Sequence, residues 1–96
     1  MNKREAYKQK LEARLELEQS KLAELKAKAK SSAADVRFKY TKQVDELDQA
    51  AEAMKRKLKE LDEASEEAWE GLKDGAESAW KTLSAAVKDA SDKFKD

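Results

Sequence analysis

Apolar residues recur through the middle of the chain at alternating intervals of four and three. The series runs through Tyr40, Val44, Leu47, Ala51, Met54, Leu58, Leu61, Ser65, Ala68 and Leu72. A heptad spacing of this kind keeps one edge of an α-helix facing a neighbouring helix. The pattern therefore predicts a long amphipathic helix that packs against other helices, as in a coiled coil.

Upstream of Tyr40 the apolar residues fit an eleven-residue period. Leu22, Ala33 and Val44 stand eleven residues apart, as do Leu25, Val36 and Leu47. Eleven residues complete three helical turns, so such a stripe follows a straight or slightly right-handed helix. The stripe passes Ser32 without a shift, which favours one long helix over about residues 2–62.

The last third of the chain contains an eleven-residue repeat. EEAWEGLKDGA at residues 66–76 aligns with ESAWKTLSAAV at residues 77–87. The stripe that results runs through Trp69, Leu72, Ala76, Trp80, Leu83, Val87, Ala90 and Phe94. It predicts a second amphipathic helix over about residues 66–94, in the most hydrophobic part of the chain.

Two serines carry signals for a helix boundary. Ser32 precedes Asp35 with the spacing of a capping box, although the eleven-residue stripe continues through it. Ser65 is a suitable N-cap, because Glu66 and Glu67 would follow it in the first helical turn. We favour a break within residues 62–66, inside a single helical domain that covers residues 1–96.

Two arrangements would cover the apolar stripe, and the sequence leaves both open. One is an extended antiparallel dimer in which Tyr7 of one copy faces Trp80 of the other. The other is a hairpin that turns near Ser65, in which residues 1–33 need a second molecule. Both predict a homo-oligomer, because an isolated amphipathic helix does not offset its loss of backbone entropy. The predicted self-association seam comprises Tyr7, Leu11, Leu15, Leu22, Leu25, Val36, Tyr40, Val44, Leu47, Met54, Leu58, Leu61, Trp69, Leu72, Trp80, Leu83, Val87 and Phe94.

Composition supports the helical interpretation and argues against catalysis. The 96 residues include 17 Ala, two Gly and no Pro, and 21 basic side chains balance 21 acidic ones. The absence of His and Cys removes the usual catalytic dyads and triads and the common zinc ligands. We therefore expect no enzymatic activity, no cofactor, no bound metal and no small-molecule substrate.

Charge and aromatic residues suggest three further partners, each of which the sequence disfavours. The acidic run from Glu60 to Glu77 lacks a loop that could fold around a cation. The basic first third is too sparse, and too poor in aromatic residues, for nucleic-acid binding. Trp69 and Trp80 could insert into a lipid surface, but the acidic residues around them favour packing against a helix instead.

Nothing in the sequence points to export or to a membrane span. The opening MNKREAYKQK lacks the apolar core of a secretory signal, and no stretch approaches the roughly 20 apolar residues that a span requires. We expect a cytoplasmic protein.

The segments NKREAYKQKLEARLELEQSKLAELKAKAK and EASEEAWEGLKDGAESAWKTLSAAV resemble a family of short bacterial coiled-coil proteins that are often labelled stress-response proteins. The paired AW-x-x-L motifs at residues 68–72 and 79–83 are the more distinctive part of the resemblance. The eleven-residue period is also similar to that of apolipoproteins and late-embryogenesis-abundant proteins. The resemblance implies a bacterial cytoplasmic protein linked to stress, and it supplies no functional residues.

The sequence thus predicts an all-α structural or interaction protein that self-associates through its apolar seam. The alternative is a protectant that folds on membrane surfaces or on client proteins.

Overall fold

The computed structural model describes residues 2–94 and shows three α-helices joined by two connections of two residues each. Helix α1 spans Lys3–Ser31, α2 spans Ala34–Glu63 and α3 spans Glu66–Lys93. The Cα atoms extend over 50 × 20 × 17 Å, so the helices lie side by side as a bundle. The predicted all-α fold is confirmed.

The predicted long helix over residues 2–62 is in fact two helices. The backbone of Ser32 is extended (φ −77°, ψ 158°), and α2 begins after Ala33. The hydroxyls of Ser31 and Ser32 both donate to the carbonyl oxygen of Lys28, and the Ser32 N–H donates to Ala29. The capping box of Ser32 with Asp35 does not form. The break instead lets α1 fold back, so that burial of its apolar edge offsets the helical hydrogen bonds lost at the turn.

The second connection, at Ala64 and Ser65, lies within the range predicted for a break. The Ser65 side chain accepts a hydrogen bond from the backbone N–H of Ala68, at 3.2 Å. Glu66 and Glu67 occupy the first turn of α3, where negative charge is favourable. Ser65 is therefore the helix N-cap that the sequence predicts.

Helices α2 and α3 form an antiparallel hairpin close to the predicted one. The rings of Tyr40 and Phe94 lie 4.0 Å apart between centroids. Toward the other end, Gly75 of α3 lies beside the side chain of Lys57 of α2. A Cβ atom at position 75 would be 3.9 Å from that side chain.

Helix α1 packs on this hairpin, antiparallel to α2 and parallel to α3. Lys8 pairs with Asp62, and Lys26 pairs with Asp48 at 2.9 Å. The expectation that residues 1–33 need a second molecule is wrong as far as burial is concerned, because the same chain covers α1.

Each helix contributes one apolar edge to a single core. The buried apolar residues of α1 are Leu11, Leu15, Leu22, Leu25 and Ala29. Those of α2 are Val44, Leu47, Ala51, Met54, Leu58 and Leu61, and those of α3 and its C-cap are Ala76, Leu83, Val87, Ala90 and Phe94. In α1 these residues follow a heptad spacing rather than the eleven-residue period, which arose from comparing positions across the turn.

Candidate functional site between α1 and α3

The predicted self-association seam lies mostly inside the bundle of one chain. Twelve of its residues are buried: Leu11, Leu15, Leu22, Leu25, Val44, Leu47, Met54, Leu58, Leu61, Leu83, Val87 and Phe94. Tyr7, Tyr40, Trp69, Leu72 and Trp80 are partly buried against the core. Val36 is the one residue of the predicted seam that is exposed, at 37 %. Burial of the seam therefore does not itself require a second copy.

The interface between α1 and α3 differs chemically from the rest of the core. Trp69 meets the edge of the Tyr7 ring at a centroid distance of 6.1 Å, and the Arg4 guanidinium lies 4.5 Å from the Trp69 ring centroid. Further along the two helices, toward their C-termini, the Arg14 guanidinium lies 4.2 Å from the centroid of the Trp80 ring. Both tryptophans thus pack against another helix, as the sequence predicts. The contacts combine aromatic packing with cation–π attraction.

Charge reinforces the same interface. Arg14 pairs with Glu77 at 3.2 Å, and the Lys73 ammonium lies 4.9 Å from the centroid of the Tyr7 ring. A basic residue of α1 and an acidic residue of α3 thus pair within one chain.

Tyr7 lies where these groups converge. Burial of its phenol, and then the negative charge of Glu77, raises the pKa of Tyr7 from 10.0 to about 12. The phenol oxygen is buried and makes no hydrogen bond of normal geometry among the described residues, although the Glu77 carboxylate lies near enough to act on its pKa. The neutral phenol is therefore the form that the folded chain stabilises.

Glu18, on the buried edge of α1, is a polar core residue that the sequence interpretation missed. It lies one helical turn after Arg14, at the heptad position between Leu15 and Leu22, and only 3 % of its surface is exposed. One carboxylate oxygen lies 3.7 Å from the Lys21 ammonium, and the other has no hydrogen-bond partner among residues 2–94. The heptad spacing of the α1 leucines could have revealed it, because that spacing assigns residue 18 to the core.

Among residues 2–94, three buried polar side-chain atoms have no hydrogen-bond partner; those of Tyr7 and Trp80 lie at the α1–α3 interface, and that of Glu18 lies on the buried edge of α1. They are the hydroxyl oxygen of Tyr7, Oε2 of Glu18 and Nε1 of Trp80. A buried polar group without a hydrogen bond costs roughly 1–3 kcal/mol. Two of these three unpaired atoms, those of Tyr7 and Trp80, lie between α1 and α3.

Apolar side chains also reach the surface near the turn between α1 and α2. Val36 and Phe38 are exposed, Phe38 at 81 %, and Ala33 within the turn is exposed as well. The third large exposed apolar residue is Leu17, in the middle of α1. Within the described range, no group of three or more acidic side chains could hold a metal ion.

No described helix combines the length and the apolar character needed to cross a membrane. Comparison with protein-family models, with curated proteins and with solved structures gives no match. The resemblance to bacterial coiled-coil proteins therefore stays a prediction.

Proposed function

We propose that this chain is a non-enzymatic structural or interaction protein that self-associates through its helices. The resemblance to bacterial coiled-coil proteins adds a link to stress and a cytoplasmic location to this proposal. The helix edges carry apolar side chains for packing and charged side chains for ion pairs. The sequence contains no His and no Cys.

One observation carries the proposal. The apolar edge continues beyond the core onto the surface at the turn between α1 and α2, where Ala33 and Val36 lie uncovered. Phe38, two residues later and therefore on another face of α2, exposes a second large apolar side chain near this turn. Exposed apolar surface of this kind favours association, because contact removes it from water.

Sedimentation over a hundredfold range of concentration tests the proposal. We expect a monomer of 10.9 kDa in the dilute limit and a dimer at high concentration. The double variant Val36→Ser/Phe38→Ser should weaken the dimer at least tenfold. Leu17→Ser is the matched control, since Leu17 is also exposed but lies elsewhere, and it should leave association unchanged. A wild-type chain that stays monomeric throughout would overturn the proposal.

Binding to membrane surfaces is the second candidate, and Trp69 and Trp80 are the residues that favour it. Both lie on the apolar edge of α3, but α1 covers them. Lipid binding would therefore require α3 to separate from α1. Anionic and neutral vesicles test it, because insertion would shift tryptophan fluorescence to the blue, whereas self-association through residues 33–38 would not require such a shift.

A further inference from the structure

We propose that two copies associate by exchanging α1, with Ser32 and Ala33 becoming helical so that α1 and α2 join into one continuous helix. In the exchanged dimer, α1 of each copy packs on the α2–α3 hairpin of the other. This inference rests on the proposed self-association and specifies its mechanism.

The connection between α1 and α2 contains little that prevents helix formation. Its residues, Ser32 and Ala33, include neither Gly nor Pro, and no described residue has a positive φ. Helix α2 begins without a side-chain cap. The Ser32 hydroxyl bonds to the carbonyl four residues earlier, a contact that also occurs inside helices. A change in two residues' backbone angles would therefore suffice to join the helices.

The connection between α2 and α3 is held more firmly. Ser65 caps α3 through the N–H of Ala68, and Arg4 donates to the carbonyl oxygen of Ala64 at 2.7 Å. Converting this connection to a helix would break both hydrogen bonds. At the α1–α2 connection the Arg37 guanidinium also donates to a carbonyl oxygen, that of Ser32 at 3.2 Å, but this bond is exposed and no side chain caps α2. This difference between the two connections identifies α1 as the helix that exchanges.

The register of α1 on α2 gives the exchanged dimer a defined centre. Lys8 faces Asp62 and Lys26 faces Asp48, so the midpoint of this antiparallel pair falls at about residue 36. If the pairing forms between two copies with the same register, a two-fold axis passes near that residue. A two-fold interface brings a residue on the axis against its own copy. The two Val36 side chains would then meet, and Ala33 of each copy would face Tyr40 of the other.

Exchange would cover the part of the apolar edge that the closed chain leaves in water. Once Ser32 and Ala33 are helical, Ala33 and Val36 continue the apolar edge that Leu25, Ala29 and Tyr40 define. In the closed chain both are exposed. The contacts of α1 with α2 and α3 would re-form between copies, so the newly covered segment around Val36 is the net gain. This gain identifies a second copy as the partner.

Cysteine substitution tests the exchange, because the natural chain has no Cys. The Val36→Cys variant is refolded at high protein concentration and oxidised with diamide. We expect most of the dimer to become disulfide-linked, since the two Cys lie at the axis. Leu17→Cys, at a position that is exposed but distant from the axis, should crosslink at least fivefold less.

A mixture of two single variants distinguishes exchange from simple docking of closed bundles. Lys8→Cys and Asp62→Cys chains are refolded together, and a disulfide between them requires α1 of one copy to lie on α2 of another. We expect this heterodimer at high concentration and its loss when refolding is carried out at hundredfold dilution. A dimer that lacks the disulfide between the Lys8→Cys and Asp62→Cys chains would overturn the exchange but leave self-association standing, whether or not Val36→Cys crosslinks. A chain that remains monomeric at every concentration would overturn both.

Discussion

The guanidinium of Arg14 lies 4.2 Å from the ring centroid of Trp80, which ties the middle of α1 to the middle of α3. The same guanidinium pairs with Glu77, one turn earlier on α3. Arg14 and Glu77 are both largely shielded, with 26 % and 34 % of their side chains exposed. Contacts that are partly withdrawn from water are screened less than surface pairs, so Arg14 should contribute measurably to stability.

Replacing Arg14 with Met keeps an unbranched stem and removes the charge. We expect Arg14→Met to lower the free energy of unfolding by about 1–2 kcal/mol, from the lost cation–π contact and ion pair. Urea denaturation followed by circular dichroism measures the change. Lys55→Met is the matched control, because the pair of Lys55 with Glu52 is exposed, and it should change stability by less than about 0.5 kcal/mol. Equal effects of the two substitutions would contradict this assignment.

Replacing Glu18 should increase the free energy of unfolding, whereas replacing Arg14 should decrease it. The Glu18 carboxylate is buried with one oxygen unpartnered, and a buried charge of this kind is often less favourable than an apolar side chain of similar size. We expect Glu18→Leu to raise the free energy of unfolding by about 1–3 kcal/mol. Thermal and urea unfolding of this variant can be compared with Glu16→Leu, at an exposed position of the same helix. Destabilisation by Glu18→Leu would show that the carboxylate has a partner in solution.

The raised pKa of Tyr7 predicts that the folded chain loses stability at alkaline pH. Its pKa is about 12 in the folded chain and 10.0 ordinarily, so the unfolded chain releases the phenol proton first. The stability that the folded chain gains from keeping this phenol protonated is therefore fully present below pH 10, and it is lost as the pH rises toward 12.

Absorbance at 295 nm of the Tyr40→Phe variant, in which Tyr7 is the remaining tyrosine, should show a titration midpoint near pH 12 while the chain is folded. The Tyr7→Phe chain should lose less stability than the natural chain between pH 10 and 12. A midpoint near pH 10 in the folded chain would mean that the phenol is not buried.

The two turn serines should respond differently to loss of their hydroxyls. Ser65 caps α3, so Ser65→Ala should cost about 1 kcal/mol of stability. The Ser32 hydroxyl bonds only to the Lys28 carbonyl oxygen, which also accepts from Ser31, so Ser32→Ala should change stability by less than half as much. Chemical denaturation of both variants checks this difference, and a larger loss from Ser32→Ala would contradict the described turn.

The two connections also show what the sequence could predict. The break at Ser65 was predictable because a capping hydroxyl and two following carboxylates act locally. The break at Ser32 and Ala33 was not, because no Gly or Pro marks it, the apolar edge runs through it, and the capping box suggested by Ser32 and Asp35 does not form. That turn exists because α1 buries its leucines on α2 and α3, and such a tertiary contact leaves no local signal.

The α1–α3 interface was predictable in part. Packing of Trp69 and Trp80 against a helix follows from the acidic residues around them and from the apolar edge that they share. The identity of the partner helix does not, because any two regular apolar edges can be brought into register. Glu18 was overlooked because its side chain is charged, although the heptad of the α1 leucines and an eleven-residue step back from Ala29 both place position 18 on the apolar edge.

Small-angle scattering combined with molar mass, in the dilute limit, tests most directly whether one chain closes α1 onto its own hairpin. The closed bundle predicts a 10.9 kDa particle with a Cα radius of gyration of 15.4 Å and a length near 50 Å. A monomer about 90 Å long would mean that α1 and α2 form one helix without a partner, and it would contradict the account.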